Sequence, residues 1–206
     1  LTDVRTAVAG QICAQRFSND IKMIGIVGTG LQARLQVEYL TKITNCRKII
    51  VWGRSDEKLN TYRADMEKLG FKVKLANSAK ELSSKANLIV TTTSSKEPLL
   101  NVNDILQGTH ITAIGSDTPG KRELGPGIIE IADLVIADSV IQCNERGEIA
   151  CAKKDGFIPA ENIIELGDVL SGKHPGRQKT SQITVADLTG IAVQDVKIAT
   201  AVFENY

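Results

Sequence analysis

The chain has 206 residues and a mass of 22.2 kDa, with 42% hydrophobic and 24% charged residues, which suits one soluble α/β unit (about 150 residues per domain) with extra segments attached. Its 25 basic and 24 acidic side chains leave a net charge of +1, and the Lys and Arg residues are scattered, so no field recruits nucleic acid or an anionic membrane. No apolar run approaches the roughly 18 residues of a membrane span, and LTDVRTAVAG lacks the basic-then-apolar order of a signal peptide, so a cytoplasmic location is expected.

The chain opens on Leu1, already inside a helical pattern in which Val4, Ala7, Val8, Ile12 and Phe17 recur at steps of three to five residues. Short apolar runs then alternate with longer amphipathic ones. Strands are predicted over Met23–Val27, Lys48–Trp52, Lys72–Leu75, Asn87–Thr92, His110–Ile114 and Asp133–Ala137, and a late one over Ile183–Val185. Runs such as IGIV, IIVW, LIVT and LVIA do not alternate, as expected of parallel strands covered on both faces. Helices are predicted between them over Leu31–Lys42, Asp56–Leu69, Ala79–Lys85, Val102–Leu106 and Leu124–Ile131. This order predicts βαβ crossovers and a doubly wound, mostly parallel α/β sheet. Beyond it, a helix is expected from Pro159 to about Gly172, then a polar loop, KHPGRQKTS. The last segment, with Ile191, Val193, Ile198, Ala199 and Val202, reads as a helix burying one face, and the chain reads as cut inside helices at both ends.

Gly28-Thr29-Gly30-Leu31-Gln32-Ala33 is a G-x-G-x-x-A turn between the first strand and the helix after it, the context in which such a turn binds a dinucleotide. Gly28 permits the tight turn, Gly30 leaves room for a pyrophosphate, and Ala33 lets helix and strand approach. The helix N-terminus offers free N–H groups to phosphate. At the end of the second strand, where a carboxylate would grip a ribose hydroxyl, the chain has Gly53-Arg54-Ser55. Arg54 can hold a 2′-phosphate or stack on adenine, and Ser55 can donate a hydrogen bond or cap the next helix, so NADP(H) is favoured over NAD(H). Thr92 and Thr93, after the fourth strand, and Gly115, Ser116, Asp117 and Lys121, after the fifth, should face the same crevice. Asp117 is a candidate proton acceptor there. Cys13, Cys46, Cys143 and Cys151 contain no CxxC pair and make no zinc pattern with His110 and His174, so buried free thiols and no metal site are expected.

GTGLQA after MIGIV, then TTTSSKEPLL, AIGSDTPGKREL, DLVIADS and DLTGIAVQD, follow the order found in the ornithine cyclodeaminase/mu-crystallin family, which the chain resembles along nearly its whole length. The resemblance implies a Rossmann domain over 21–186, flanked by connecting helices over 1–20 and 187–206 that lead to an absent substrate and dimerisation domain of a homodimer. It implies that Arg5 holds a substrate carboxylate, that Thr189 lies on the substrate side, and that Asp117 is the catalytic aspartate. Thr6, Gln32, Ala33, Arg54, Ser55, Thr92, Thr93 and Lys121 become cofactor contacts.

Two departures refine this. Asp187-Leu188-Thr189-Gly190 stands where relatives commonly read DSTG or DSVG, which counts against ornithine as substrate. Asp117 stands where the mu-crystallin branch lacks an aspartate, which counts against a pure hormone binder. The implied activity is hydride transfer at the α-carbon of a small amino or imino acid, of the pyrroline-2-carboxylate reductase or alanine dehydrogenase type. Ornithine cyclodeaminase and a non-catalytic NADPH-binding protein are the alternatives.

Overall fold

A computed structural model describes residues 1–157 and 163–205. Its centre is one parallel sheet of eight strands: β1 (Ile24–Val27), β2 (Lys48–Trp52), β3 (Lys72–Leu75), β4 (Leu88–Thr91), β5 (His110–Ala113), β6 (Leu134–Ala137), β7 (Ile163–Glu165) and β8 (Thr184–Asp187). Their spatial order is β3-β2-β1-β4-β5-β8-β6-β7. Every residue of β1, β4, β5, β6 and β8 is buried, because helices cover both faces of the sheet.

The registers align the strand ends. Val27 pairs with Trp52 and Thr91, Thr91 with Ala113, and Ala113 and Ala137 both with Asp187. The loops after these residues therefore emerge along one edge. The chain order reverses between β1 and β4, so the crevice opens at that switch point.

The helices are α1 (Thr2–Phe17), α2 (Leu31–Leu40), α3 (Asp56–Lys68), α4 (Ala79–Ser83), α5 (Ile128–Ile131), α6 (Val140–Cys143), α7 (Glu148–Lys154), α8 (Leu166–Leu170) and α9 (Ala192–Glu204). Helix α1 buries Ala7, Ala9, Gly10, Cys13, Ala14 and Phe17 and packs along α2. At the crossing, a Cβ on Gly10 would lie 2.0 Å from Gln36 Oε1, so a larger residue there would require the Gln36 side chain to move.

Several expectations are corrected. Residues 163–165, expected in a helix, form β7 paired with β6, and only the short α8 follows; the part of that expectation at 158–162 lies outside the described residues. Helix α5 starts four residues late, because Leu124 bridges to Leu100 and Gly127 takes a left-handed φ of 84°. Val102–Asp104 is a single 3-10 turn. Helices α6 and α7, unforeseen in the sequence, supply the layer under β6 and β8. Helix α9 buries no residue, contrary to the amphipathic reading: Val193, Val196 and Phe203 are exposed. Of the cysteines, Cys13 and Cys143 are buried, whereas Cys46 and Cys151 are half-buried; all four are free. Among the described residues no helix is long and apolar enough to cross a membrane.

Arg177 ties α1 to the sheet. Its guanidinium donates to the Phe17 carbonyl that ends α1, to Gln182 O at 2.7 Å, to Thr184 Oγ1 at 3.0 Å and to Thr109 O at 3.3 Å. Thr109 O also accepts from Thr184 N at 3.1 Å and Phe17 O from Thr184 Oγ1 at 3.3 Å, whereas Arg177 is the donor to Gln182 O. Arg177→Ala should lower stability by ~3 kcal/mol, since it removes several charge-assisted hydrogen bonds and leaves Gln182 O without this donor. A fall in thermal midpoint of roughly 5–10 °C, read by circular dichroism, is the expected result.

Candidate dinucleotide and substrate crevice

The turn after β1 is shaped by sterics. Gly28 has a φ of 113°, and a Cβ there would lie 2.7 Å from Thr92 Oγ1. Gly30 caps α2 and has open space where its side chain would be, so the helix N-terminus can be approached closely. Arg34 braces the turn by donating to Thr29 O at 2.6 Å and Gly30 O at 3.1 Å, while Asp65 holds the guanidinium at 2.7 Å. Ala33 is fully buried and does not line the crevice; its carbonyl accepts from Tyr62 Oη at 3.1 Å. Its small size serves packing.

One arm of the crevice, about 240 Å³, runs from Gly28 and Gly30 to Arg54, Ser55 and Lys58. Ser55 Oγ accepts from Lys58 N at 3.4 Å and so caps α3. Lys58 was not singled out in the sequence, although it stands one helical turn after the Arg54-Ser55 pair. The other arm, about 260 Å³, is lined by Arg5, Thr6, Gln32, Asp117, Lys121 and Thr189. Both arms are lined by Thr92 and Thr93, which makes them one continuous crevice. Gly115 lines the second arm, whereas Ser116 is buried and donates to Lys121 O at 2.7 Å, closing the loop from beneath.

Within the second arm, Lys121 Nζ lies 2.6 Å from Asp117 Oδ1. Arg5 donates through Nε to Asp195 Oδ1 at 3.0 Å and through Nη1 to Gln194 Oε1 at 3.1 Å, so α9 holds its guanidinium at the mouth. Gln32 Nε2 donates to the Asp3 side chain at 3.0 Å, and Thr6 Oγ1 to Thr2 O at 2.9 Å. Thr189 Oγ1 donates to Asp138 Oδ1 at 3.1 Å and accepts from Gln142 Nε2 at 2.8 Å. Cys143 Sγ also lies 3.7 Å from this hydroxyl, so Thr189 is tied from beneath by Asp138, Gln142 and Cys143.

The chain also places buried acids behind the crevice that sequence patterns did not reveal. Glu123, Glu148 and Asp187 are 0%, 1% and 1% exposed and lie 25 and 39 residues apart in sequence. Each is held by backbone N–H groups: Asp187 by Ile149 at 2.9 Å, and Glu148 by Glu123 at 2.7 Å and Leu124 at 3.1 Å. Burial pushes the Asp187 carboxyl from the ordinary 3.8 up to about 7, against the Ile149 and Glu148 N–H groups that favour its charge. Burial, with the Asp187 charge adding to it, pushes Glu148 from 4.5 up to about 8. Glu123 is likewise raised by burial.

The sequence model of the ornithine cyclodeaminase/mu-crystallin family matches residues 1–206. The chain belongs to that family. A putative dehydrogenase from Rhizobium meliloti is 41% identical over 206 residues, covering 98% of this chain and 62% of the relative. An archaeal alanine dehydrogenase dimer with bound NAD superposes with a TM-score of 0.93 at 32% identity, over 99% of this chain and 63% of that one. The pyrroline-2-carboxylate reductase of Thermococcus litoralis, in complex with NADH and L-proline, superposes with a TM-score of 0.92 at 27% identity, over 98% and 64%. The chain thus spans less than two thirds of the length of these family members.

The buried acids make stability depend on pH. A carboxyl whose pKa is higher folded than unfolded binds more protons in the folded state, so its contribution is complete below about pH 4 and is lost as the pH rises through 7 and 8. Melting temperature at constant ionic strength should therefore fall from pH 5 to pH 9, less steeply below about pH 6.5, where buried His110, lowered from 6.5 to about 3, opposes the acids. Asp187→Asn should flatten the slope between pH 5 and 7; an unchanged slope would locate the titration elsewhere.

Proposed function

We propose that this protein is the nucleotide-binding portion of an NAD(P)-dependent oxidoreductase that transfers hydride at the α-carbon of a small amino or imino acid. The observation that carries the reading is the single crevice in which the glycine turn, Thr93, Asp117 and Arg5 succeed one another along the carboxyl edge of the sheet. The residues fit a dinucleotide: the left-handed turn at Gly28, the open approach at Gly30 and the free N–H groups of α2 suit a pyrophosphate. When bound, the nicotinamide supplies or accepts the hydride. Two family members of known structure hold NAD or NADH and one of them L-proline, which supports both the cofactor class and the substrate class.

The chain's own groups account for the remaining steps. Arg5 can offer its free N–H donors to a substrate carboxylate and so orient the α-carbon. Asp117 takes a proton from the amine in the oxidative direction and returns one in the reductive direction, with Lys121 holding the carboxylate in place. Leu188 lines the same arm with an apolar surface, which favours a compact imino acid over ornithine's second amine. The free cysteines suit a reducing compartment such as the cytoplasm. By likeness to the alanine dehydrogenase dimer, we read α1 and α9 as connectors to the remaining, dimer-forming part of the molecule.

Full-length protein should oxidise NADPH or NADH in the presence of pyrroline-2-carboxylate, or of pyruvate with ammonia. Asp117→Asn should lower kcat by about 10²–10⁴-fold while leaving cofactor affinity within a factor of about two. Release of proline and ammonia from ornithine without net cofactor consumption would instead identify a cyclodeaminase, and unchanged function in Asp117→Asn a binding protein.

Arg54 and Lys58 at the adenosine end, in an arm lined by no carboxylate among the described residues, favour the 2′-phosphorylated cofactor. Arg54→Ala should weaken NADPH by about tenfold or more and NADH by less than about threefold in fluorescence titrations. Equal losses would mean that Arg54 only stacks on adenine.

A further inference from the structure

Glu123 lies at the junction of two loops that form the crevice. Its Oε1 accepts from Thr93 N at 2.5 Å and its Oε2 from Gly115 N at 2.9 Å. Thr93 follows β4 and Gly115 follows β5, so one carboxylate joins the exits of two neighbouring strands. The fit is close: a Cβ on Gly115 would lie 2.0 Å from Thr93 O and 2.6 Å from the Glu123 carboxyl. Asp117 stands two residues beyond Gly115, and the loop between them and Lys121 is closed by Ser116 and by Arg122 N, which donates to Ser95 O at 2.8 Å.

Glu123 is itself held. Its own N–H and that of Leu124 donate to the two oxygens of Glu148, at the start of α7, and Asp187 at the end of β8 accepts from the next N–H, that of Ile149. Three buried carboxylates thus pass the position of β8 to the loops of β4 and β5, each gripping backbone and none paired with Lys or Arg among the described residues. An apolar side chain could fill this space, but only a carboxylate has two equivalent acceptors for two N–H groups that point at one spot.

We propose that Glu123 is a positioning residue: by tying Thr93 to Gly115 it sets the nicotinamide-side arm of the crevice and the place of Asp117 within it. This rests on the dinucleotide reading above. It adds a specific consequence: Thr93 borders both arms, but Gly115 and Asp117 line only the nicotinamide side, so the tie bears chiefly on that arm, while the Arg54, Ser55 and Lys58 end of the other arm makes no contact with it.

Glu123→Gln keeps the shape of the side chain but replaces one acceptor oxygen by an NH₂, which then faces a backbone N–H. In fluorescence and calorimetric titrations of the full-length protein, NADH should weaken by about tenfold or more, whereas 5′-AMP, which occupies the adenosine arm alone, should change by less than about twofold. Glu148→Gln, one link further away, should weaken NADH by about two- to fivefold with AMP again unchanged, and it serves as the test should Glu123→Gln fail to fold. Unchanged NADH affinity would overturn the proposal. Equal losses for NADH and AMP would also overturn it, showing that the acid only supports the fold. A wild-type protein that binds neither ligand would overturn the dinucleotide reading itself.

Discussion

A parallel sheet buried on both faces commits its backbone polar groups to its own ladders. In β1, β4, β5, β6 and β8 every residue is covered, and the backbone groups are consumed by the ladders. Because the strands are in register at Val27, Trp52, Thr91, Ala113, Ala137 and Asp187, that constraint ends for all of them along one line. Immediately beyond it the chain is free to turn, and there it places Gly28, Gly53, Thr92, Gly115, Asp138 and Leu188. The crevice is what remains when a fully satisfied sheet stops at a common edge.

That edge must still be fixed in shape, and here the protein uses buried acids. Glu123, Glu148, Asp187 and Asp138 each accept backbone N–H groups from a loop on a different strand or helix. Carboxylates are costly to bury, and the raised pKa of Glu148 and Asp187 expresses that cost. In exchange Glu123 joins Thr93 to Gly115, and Asp138 takes both Thr189 and Gly190. Asp138 illustrates the point at the far end: one oxygen takes the Thr189 hydroxyl at 3.1 Å and the other the Gly190 N–H at 2.6 Å, so the DLTG turn is set from beneath. Cys143 packs against the same group, where burial raises its thiol and keeps it uncharged.

The two end helices behave differently because of what they face. Helix α1 lies on α2 through small residues and is anchored at its C-terminal end by Arg177, so it is an integral layer of the domain. Helix α9 meets the rest mainly through the Arg5–Asp195 pair and leaves Val193, Val196 and Phe203 exposed. Its apolar pattern is therefore real but unsatisfied within this chain. Periodicity reports that a helix has an apolar face, not what covers it.

The alternation of apolar runs and amphipathic helices, the glycine turn and the residues after the strand ends were legible because each is a local signal read over a few neighbouring positions. Thus Gly28, Arg54, Thr93, Asp117 and Lys121 each follow a strand end, which is what the sequence order indicates and what places them along one edge. Helix α8 is shorter than the sequence predicts because IIELGDVL carries a helical pattern that edge pairing with β6 overrides at Ile163–Glu165. The insertion of β8 between β5 and β6 left no local trace, since DLVIA and TVADL read alike as buried strands. The same holds for Glu123, Glu148 and Asp187. Separated by tens of residues, they look like ordinary charges in sequence, and only the packing of β8 beside β5 brings them together. The sequence by itself determined the fold class and the cofactor turn, because these depend on local sterics and periodicity. The tertiary structure alone decided which distant backbone groups a buried carboxylate would hold, because that depends on strand order, which no short stretch of chain encodes.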